Sequence, residues 1–371
     1  MKVIVLTGGP CAGKTTALSR IVGKFTTFGY QVYTVPEMAG IMHQLGFGFA
    51  TNSREEYVYM HLKMLQLLLE IENKTRELAA KMATKPLIIQ DRGAMDIAAY
   101  VEPHEWEWIL QQAGITEVDL RYGRYDAVLH MVTTANGAEK YYSLANNVTR
   151  TENLQQAREV DRRIQEVWTG HPHLRIFNNS GDFDDKINRI LQEISDLHGD
   201  PEPIESERKF KVRVTGQLPH HYTSSIEQTY LLSNENEELR VRRRGQNGKF
   251  ICFHTQKKDL APGQRLEVET KISPKEYSLH LENRDKDYRV IRKERKCFVW
   301  DDHYFELDHY LEPQLDFQIL EIEGLNLQEK LTFPPFLELV EEVTDNKAYS
   351  NKTLARLSAA ESNSHTASQT S

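Results

Sequence analysis

A lysine and a threonine behind a glycine-rich turn can hold a phosphate chain and its metal, and Gly8-Gly9-Pro10-Cys11-Ala12-Gly13-Lys14-Thr15 has that spacing. The apolar run Val3-Ile4-Val5-Leu6 leads into it, and a helical pattern over 15–28 leads out. In a strand–turn–helix of this kind the loop N–H groups point at phosphate oxygens, and the helix N-terminus adds a favourable dipole. Gly8, Gly13, Lys14, Thr15 and Thr16 are therefore candidate nucleotide-binding residues. Lys14 reaches the β and γ phosphates, and the Thr15 hydroxyl ligates Mg²⁺. Asp91 follows the strand pattern 87–90, where an acid completes a magnesium site or, alternatively, caps a helix. Glu37 ends the pattern 31–35, placed either to orient a hydroxyl or a water, or to cap. Arg158 and Arg162, four apart on one helical face, read equally as a catalytic lid over transferring phosphate or as a solvated face paired with Glu152, Glu159 and Asp161. Asn179, after the last strand pattern, is a candidate for the nucleotide base.

A second constellation begins about two hundred residues later. Side chains two apart on a strand share a face. Glu205 with Glu207 and Lys209, Arg240 with Arg242, Glu267 with Glu269, Lys293 with Arg295, and Glu321 with Glu323 repeat that spacing on five strand patterns. One such pair is an ordinary solvated face. Five of them, gathered inside a sheet, must compensate one another or bind metal and polyphosphate. The glutamates suit Mg²⁺ or Mn²⁺, and the lysines and arginines suit a chain of phosphates.

Two kinds of domain must position these groups. Up to about residue 200, apolar runs alternate with helical patterns over 15–28, 55–83, 152–168 and 184–197, which predicts an α/β P-loop domain with a parallel sheet over 1–198. The stretch 199–203, Gly-Asp-Pro-Glu-Pro, is a linker. Beyond it the period becomes two, and 204–350 reads as an α+β, mainly antiparallel β-barrel domain. The tail 351–371, rich in Ser, Thr, Asn and Ala, reads as disordered.

The length of 371 residues suffices for two or three cores, and a net charge of −8 excludes a generic nucleic-acid binder. Three scattered cysteines argue against a disulfide framework and fit a reducing compartment. No run approaches the roughly twenty apolar residues of a membrane span, so the expectation is a cytoplasmic protein, with peripheral membrane contact left open.

Glycine loop, Asp91-Arg92-Gly93 and arginine helix together resemble the nucleotide-kinase branch of P-loop NTPases. No Asn-Lys-x-Asp signature for guanine occurs. The stretch from about 203 to 350 resembles the CYTH family, the triphosphate tunnel fold. Glu205-x-Glu207-x-Lys209, Arg240-x-Arg242, Thr255-x-Lys257, Glu267-x-Glu269, Lys293-x-Arg295, Asp308 and Glu321-x-Glu323 carry that likeness. It implies an eight-stranded antiparallel barrel that binds a triphosphate-containing ligand with divalent metal, with Lys257 among the phosphate ligands. The order of the two domains resembles the TRPL translocation defect protein family. That resemblance implies GTP or ATP in the first domain, a phosphoinositide or other polyphosphate ligand, and a role in membrane-protein trafficking. Metal-dependent triphosphate hydrolysis or small-molecule phosphorylation is the enzymatic alternative.

Overall fold

In a computed structural model the chain divides into two compact units, Met1–His198 and Gly199–Ser371. The structure describes residues 1–49, 51, 53–82, 84–142, 153–198, 207–234, 237–261, 264–323, 331–344 and 346–356. The linker 199–203, Glu205 and the chain beyond 356 lie outside them.

The first unit runs β1 (Lys2–Gly8), α1 (Lys14–Thr27), β2 (Gln31–Val35), α2 (Met38–Gln44), α3 (Arg54–Met82), β3 (Pro86–Asp91), α4 (Pro103–Ala113), α5 (Glu117–Gly123), β4 (Ala127–Met131), α6 (Leu154–Trp168), β5 (Leu174–Phe177) and α7 (Phe183–Leu197). Its five strands are parallel, in the order β2-β3-β1-β4-β5. The central strands are apolar on both faces because helices cover both, as a parallel sheet requires. Ile4, Leu6, Leu87, Ile89 and Leu129 pack with Ile21 and Phe25 of α1 and with Ile187, Ile190 and Ile194 of α7. Strand order reverses at β1, so the carboxyl ends of β1, β3 and β4 open on one crevice where such sheets bind ligands. The seven-residue helices α2 and α5 carry too few turns for a hydrophobic period, and neither they nor α4 were foreseen from the sequence.

The second unit runs β6 (Glu207–Val214), β7 (His221–Leu231), β8 (Glu237–Gln246), β9 (Lys249–Ala261), β10 (Gln264–Ile272), α8 (Pro274–Leu281), β11 (Ile291–Trp300), β12 (His303–Glu312), β13 (Gln318–Glu323), β14 (Leu337–Glu342) and α9 (Asn351–Ala355). All its pairings are antiparallel, in the order β10-β9-β8-β7-β11-β12-β13-β6-β14. Among the described residues the sheet thus has nine strands rather than eight, because β14 adds to the outer edge of β6. The sheet is curled: Tyr230 of β7 packs in one cluster with Ile319 of β13, although β11 and β12 separate the two strands.

The faces of this sheet are inverted relative to an ordinary half-buried one. Phe210, Val212, Phe298, Phe305, Leu307, Leu320 and Ile322 form a core on one side with Phe333 and Phe336. The charged side chains of Lys293, Arg295, Glu306, Asp308 and Glu321 alternate with that core, point to the other side and are nevertheless buried. Strand β7 escaped the sequence reading for that reason, since its Ser224, Gln228 and Thr229 are buried polar residues that blur the apolar period. Residues 351–356 depart from the expected tail. Ser350 caps α9 through Thr353, and Leu354 and Ala355 pack with Tyr230, Tyr310 and Ile319. Two apolar residues with a good cap suffice to order a turn that composition alone marks as polar.

Candidate phosphate-binding sites

The glycine loop closes between β1 and α1 in the crevice at the strand ends. Gly8 has φ 140°, and a Cβ there would lie 2.1 Å from the Met131 carbonyl oxygen, so no other residue fits. Lys14 turns back to donate to the Gly8 and Gly9 carbonyls at 3.1 and 3.4 Å. Burial, with Arg92 nearby, lowers its pKa to about 8. Thr15 and Thr16 are exposed in the first turn of α1.

Asp91 ends β3 in register with Leu6 of β1. Burial pushes its carboxyl up against the pull of Lys14, and its Oδ1 is buried with no hydrogen-bond partner among the described residues. An orphaned carboxylate oxygen is costly unless something else uses it. Together with the Thr15 hydroxyl it offers the all-oxygen donors that Mg²⁺ takes, so these residues fit the ion. Arg92, next in the chain, adopts φ 65°, a left-handed conformation unusual outside glycine. It is held there by Glu37 at 2.6 Å and Asp96 at 3.3 Å. Glu37 stands at the N-cap position of α2 without a side-chain capping bond, and its carboxylate instead pairs with Arg92.

Two acids that sequence reasoning missed organise the loop. Buried Asp96 accepts from Gly93 N at 2.8 Å, from Trp168 Nε1 at 3.1 Å and from the Thr7 hydroxyl. Buried Asp161, on the arginine helix α6, accepts from Gly9 N at 2.6 Å and Thr133 N at 3.3 Å, with His130 Nε2 at 3.1 Å. Burial opposes its ionisation, but His130 and the two backbone N–H groups outweigh that and hold the carboxyl below its usual range. The sequence places Asp161 on a solvated helical face, but it is buried, and apart from Gln165 on its own helix its partners lie far away in the chain.

The arginines on the other faces of α6 are engaged elsewhere. Arg158 donates to the Ala135 carbonyl at 2.6 Å and to Glu139 at 2.9 Å. Arg162 is mostly exposed and pairs with Glu159 and Glu166 of its own helix, the arrangement of the solvated face. Asn179, expected at the base, makes its described contacts within the chain. Its amide donates to the Thr133 and Asn136 carbonyls at 2.9 and 2.6 Å, and its oxygen accepts from buried Lys186 at 2.8 Å. Both amide protons are spent latching the β5–α7 turn to the turn after β4.

In the second unit the alternating pairs converge on the buried charged face. On one side Arg240 donates to Glu267 at 3.0 Å, Lys257 reaches the other Glu267 oxygen at 2.5 Å, and Glu269 receives Arg242 at 2.5 Å and the Thr255 hydroxyl at 3.0 Å. On the other, Arg295 makes a fork onto Asp308, 2.7 Å on each arm, and reaches Glu321 at 2.5 Å and Glu306. Lys293 also donates to Asp308, and Lys209 bridges Glu207 at 2.9 Å and Glu321 at 3.2 Å. Glu323 stands opposite Glu207 in register. Glu306 and Arg244 are further buried members of this face; Glu306 lies two residues before Asp308, so the same alternation marks it.

The charges are not fully balanced locally. Burial drives the Glu306 carboxyl up to about 7, against Arg295. Burial, then Glu321, raises Glu207. For Glu321 burial is outweighed by Lys209, Arg295 and Lys293, which hold it well below the carboxylate range. The Nε–H groups of Arg240 and Arg242 are buried without hydrogen-bond partners among the described residues. Two unmatched guanidinium donors on one face suit an anion with several oxygens. The carboxylates have the right chemistry for a hard divalent cation, but among the described residues no group of three is arranged as a cage for one.

Residues 3–186 match the family model of an AAA domain, which agrees with a nucleotide-binding P-loop fold. No curated protein sequence matches the chain. Among solved structures the chain is similar to an inorganic triphosphatase, with 28% identity over 41% of this chain and 93% of that one and a TM-score of 0.32. It is also similar to a protein of Pyrococcus horikoshii OT3, with 23% identity over 34% and 80% of the two chains and a TM-score of 0.26. No helix among the described residues is long and apolar enough to cross a membrane.

Proposed function

We propose that this chain binds a magnesium nucleoside triphosphate in its first domain and a triphosphate-type polyanion on the charged face of its second. The observation that carries the reading is the gathering of Arg240, Arg244, Lys257, Lys293 and Arg295 as buried cations on one face, with half-buried Arg242 and Lys209 beside them. Burying that many cations is expensive, and carboxylates within the face offset only part of the cost. A chain of phosphates offers these cations acceptors beyond the carboxylates they already meet. In the first domain Lys14 and the loop N–H groups take the phosphates, while Thr15 and Asp91 hold Mg²⁺, which screens phosphate charge when bound.

Guided by the resemblance of the domain order to the TRPL translocation defect family, the proposal extends to GTP as the nucleotide and a phosphoinositide head group as the polyanion. The role is then that of a regulator of membrane-protein trafficking. The second reading is hydrolysis of the polyanion with Mg²⁺ or Mn²⁺. It is favoured by the crowding of Glu207 with Glu321 and Glu323, which Lys209 only partly offsets; a cation there would need donors besides these, since no three described groups are arranged to hold one.

Calorimetric titration of the parent, Lys14→Ala and Arg240→Ala/Arg242→Ala with Mg·GTP, Mg·ATP and tripolyphosphate tests this. Lys14→Ala is expected to lose nucleotide binding and keep a tripolyphosphate site; the double variant is expected to do the reverse. Undiminished tripolyphosphate binding by the double variant would sink the proposal for the second domain. Phosphate release that vanishes in Glu205→Ala/Glu207→Ala selects the hydrolytic reading, and retention on phosphoinositide vesicles by a chain without turnover selects the regulatory one.

A further inference from the structure

With Asn179 occupied as a latch, the residue beside the glycine loop that can meet a base is a different one. Helix α7 carries an apolar stripe at Phe183, Ile187, Ile190 and Ile194, spaced for one helical face. The last three are at most 2% exposed, whereas Phe183, the first, is 40% exposed. Its ring is not loose in solvent. It rests against the loop so closely that a Cβ on Gly13 would lie 2.4 Å from Phe183 Cε2. Gly13 has φ 89° and immediately precedes Lys14. The stripe therefore runs out of core at the phosphate loop and leaves an aromatic surface partly uncovered there.

The turn that carries the ring is rigid. Asp182 caps α7 through Asp185 N, Asn179 ties the turn to Thr133 and Asn136, and Arg189 donates to the Asn178 carbonyl at 2.9 Å. Polar atoms border the ring in sequence: the Asn178 side-chain oxygen accepts from Ser180 Oγ at 2.7 Å on an exposed edge. A flat hydrophobic surface, fixed beside a phosphate cradle, is what a nucleobase one ribose away from the α-phosphate stacks on.

We infer that Phe183 is the platform for the nucleobase, and hence that the first domain binds nucleotides in preference to inorganic phosphate chains. The inference rests on the nucleotide-binding reading of the glycine loop. Stacking of this kind tolerates any base, which agrees with the lack of a guanine signature in the chain.

The test titrates full-length protein with Mg·ATP, Mg·GTP and Mg·tripolyphosphate, and counts only the binding that Lys14→Ala abolishes. Phe183→Ala is expected to weaken both nucleotides about ten-fold while leaving the tripolyphosphate component in place. Phe183→Leu, which keeps apolar bulk against Gly13 without a flat ring, is expected to behave likewise, and Phe183→Tyr to bind as the parent does. Equal weakening of nucleotide and tripolyphosphate would show that the ring only shapes the loop, and would overturn the inference. So would unchanged nucleotide affinity in Phe183→Ala. If the parent shows no Lys14-dependent binding of any probe, the nucleotide reading itself falls and takes the platform with it. Nucleotide loss with tripolyphosphate retained supports both.

Discussion

The glycine loop and the charged sheet face offer opposite materials to an anion. The loop presents backbone: N–H groups at a helix start, a glycine at φ 140° against Met131, and one lysine whose pKa has fallen to about 8. The sheet face presents side chains, with Arg240, Arg242, Lys257, Lys293 and Arg295 sharing a buried surface with Glu267, Glu269, Glu306, Asp308 and Glu321. A backbone site depends on conformation and tolerates few residues at its glycines. A side-chain site depends on charge balance, so each member is held by its neighbours' charges. The two should fail differently.

The largest effect is expected at Arg295. Its guanidinium serves Asp308, Glu306 and Glu321 together, and Arg295→Met would leave buried carboxylates without their main counter-charge. Loss of about 3–5 kcal/mol in the second domain is expected, read as an early unfolding transition while the first domain melts as before. Next comes Gly8→Ala, where a methyl would run into the Met131 carbonyl oxygen. A cost of about 1–3 kcal/mol confined to the first domain is expected in denaturant unfolding, with nucleotide binding lost. If either variant destabilised the other domain equally, the separation of the two materials would be wrong.

Acid and base titrations sharpen the contrast. Lys14 loses its charge as pH rises through about 8, well below the ordinary lysine value of 10.5. Nucleotide affinity should therefore decline as pH rises above about 8; a flat profile from pH 7 to 9 would refute the assignment. For Glu306 the sign is opposite to a stabilising carboxylate. Its pKa is raised from 4.5 to about 7, so the folded state holds the proton that the unfolded state has released between those values. Second-domain stability, measured relative to Glu306→Gln, should then fall as pH climbs from about 4.5 to 7. The smallest effect is reserved for Arg162→Ala, whose pairs with Glu159 and Glu166 are on an exposed helical face. About 0.5 kcal/mol or less is expected, with nucleotide affinity unchanged if the helix face is solvated rather than catalytic.

The glycine loop and the alternating charges were legible because each is a local pattern. A strand, a turn and a helix start are neighbours in the chain, and strand side chains two apart must share a face whatever the strand pairs with. Glu306 was equally legible two residues from Asp308, and was missed. Asp161 and Asp96 were not legible, since their meaning lies in Gly9, Thr133, Thr7 and Trp168, which only folding brings near. Asn179 looked available at the right strand end, yet its amide was already committed to two carbonyls. Strand β7 was hidden because polar side chains occupy its buried face.

By itself, the sequence determined the two fold classes, the loop with its lysine, and which charged residues share a strand face. Those follow from spacing, chirality and the pleat, which act over a few residues. Only the tertiary structure decided which cation meets which carboxylate, which acid anchors the loop rather than the metal, and which aromatic residue stays uncovered beside it. Those outcomes depend on strand order and on desolvation, and both are properties of groups brought together from distant parts of the chain.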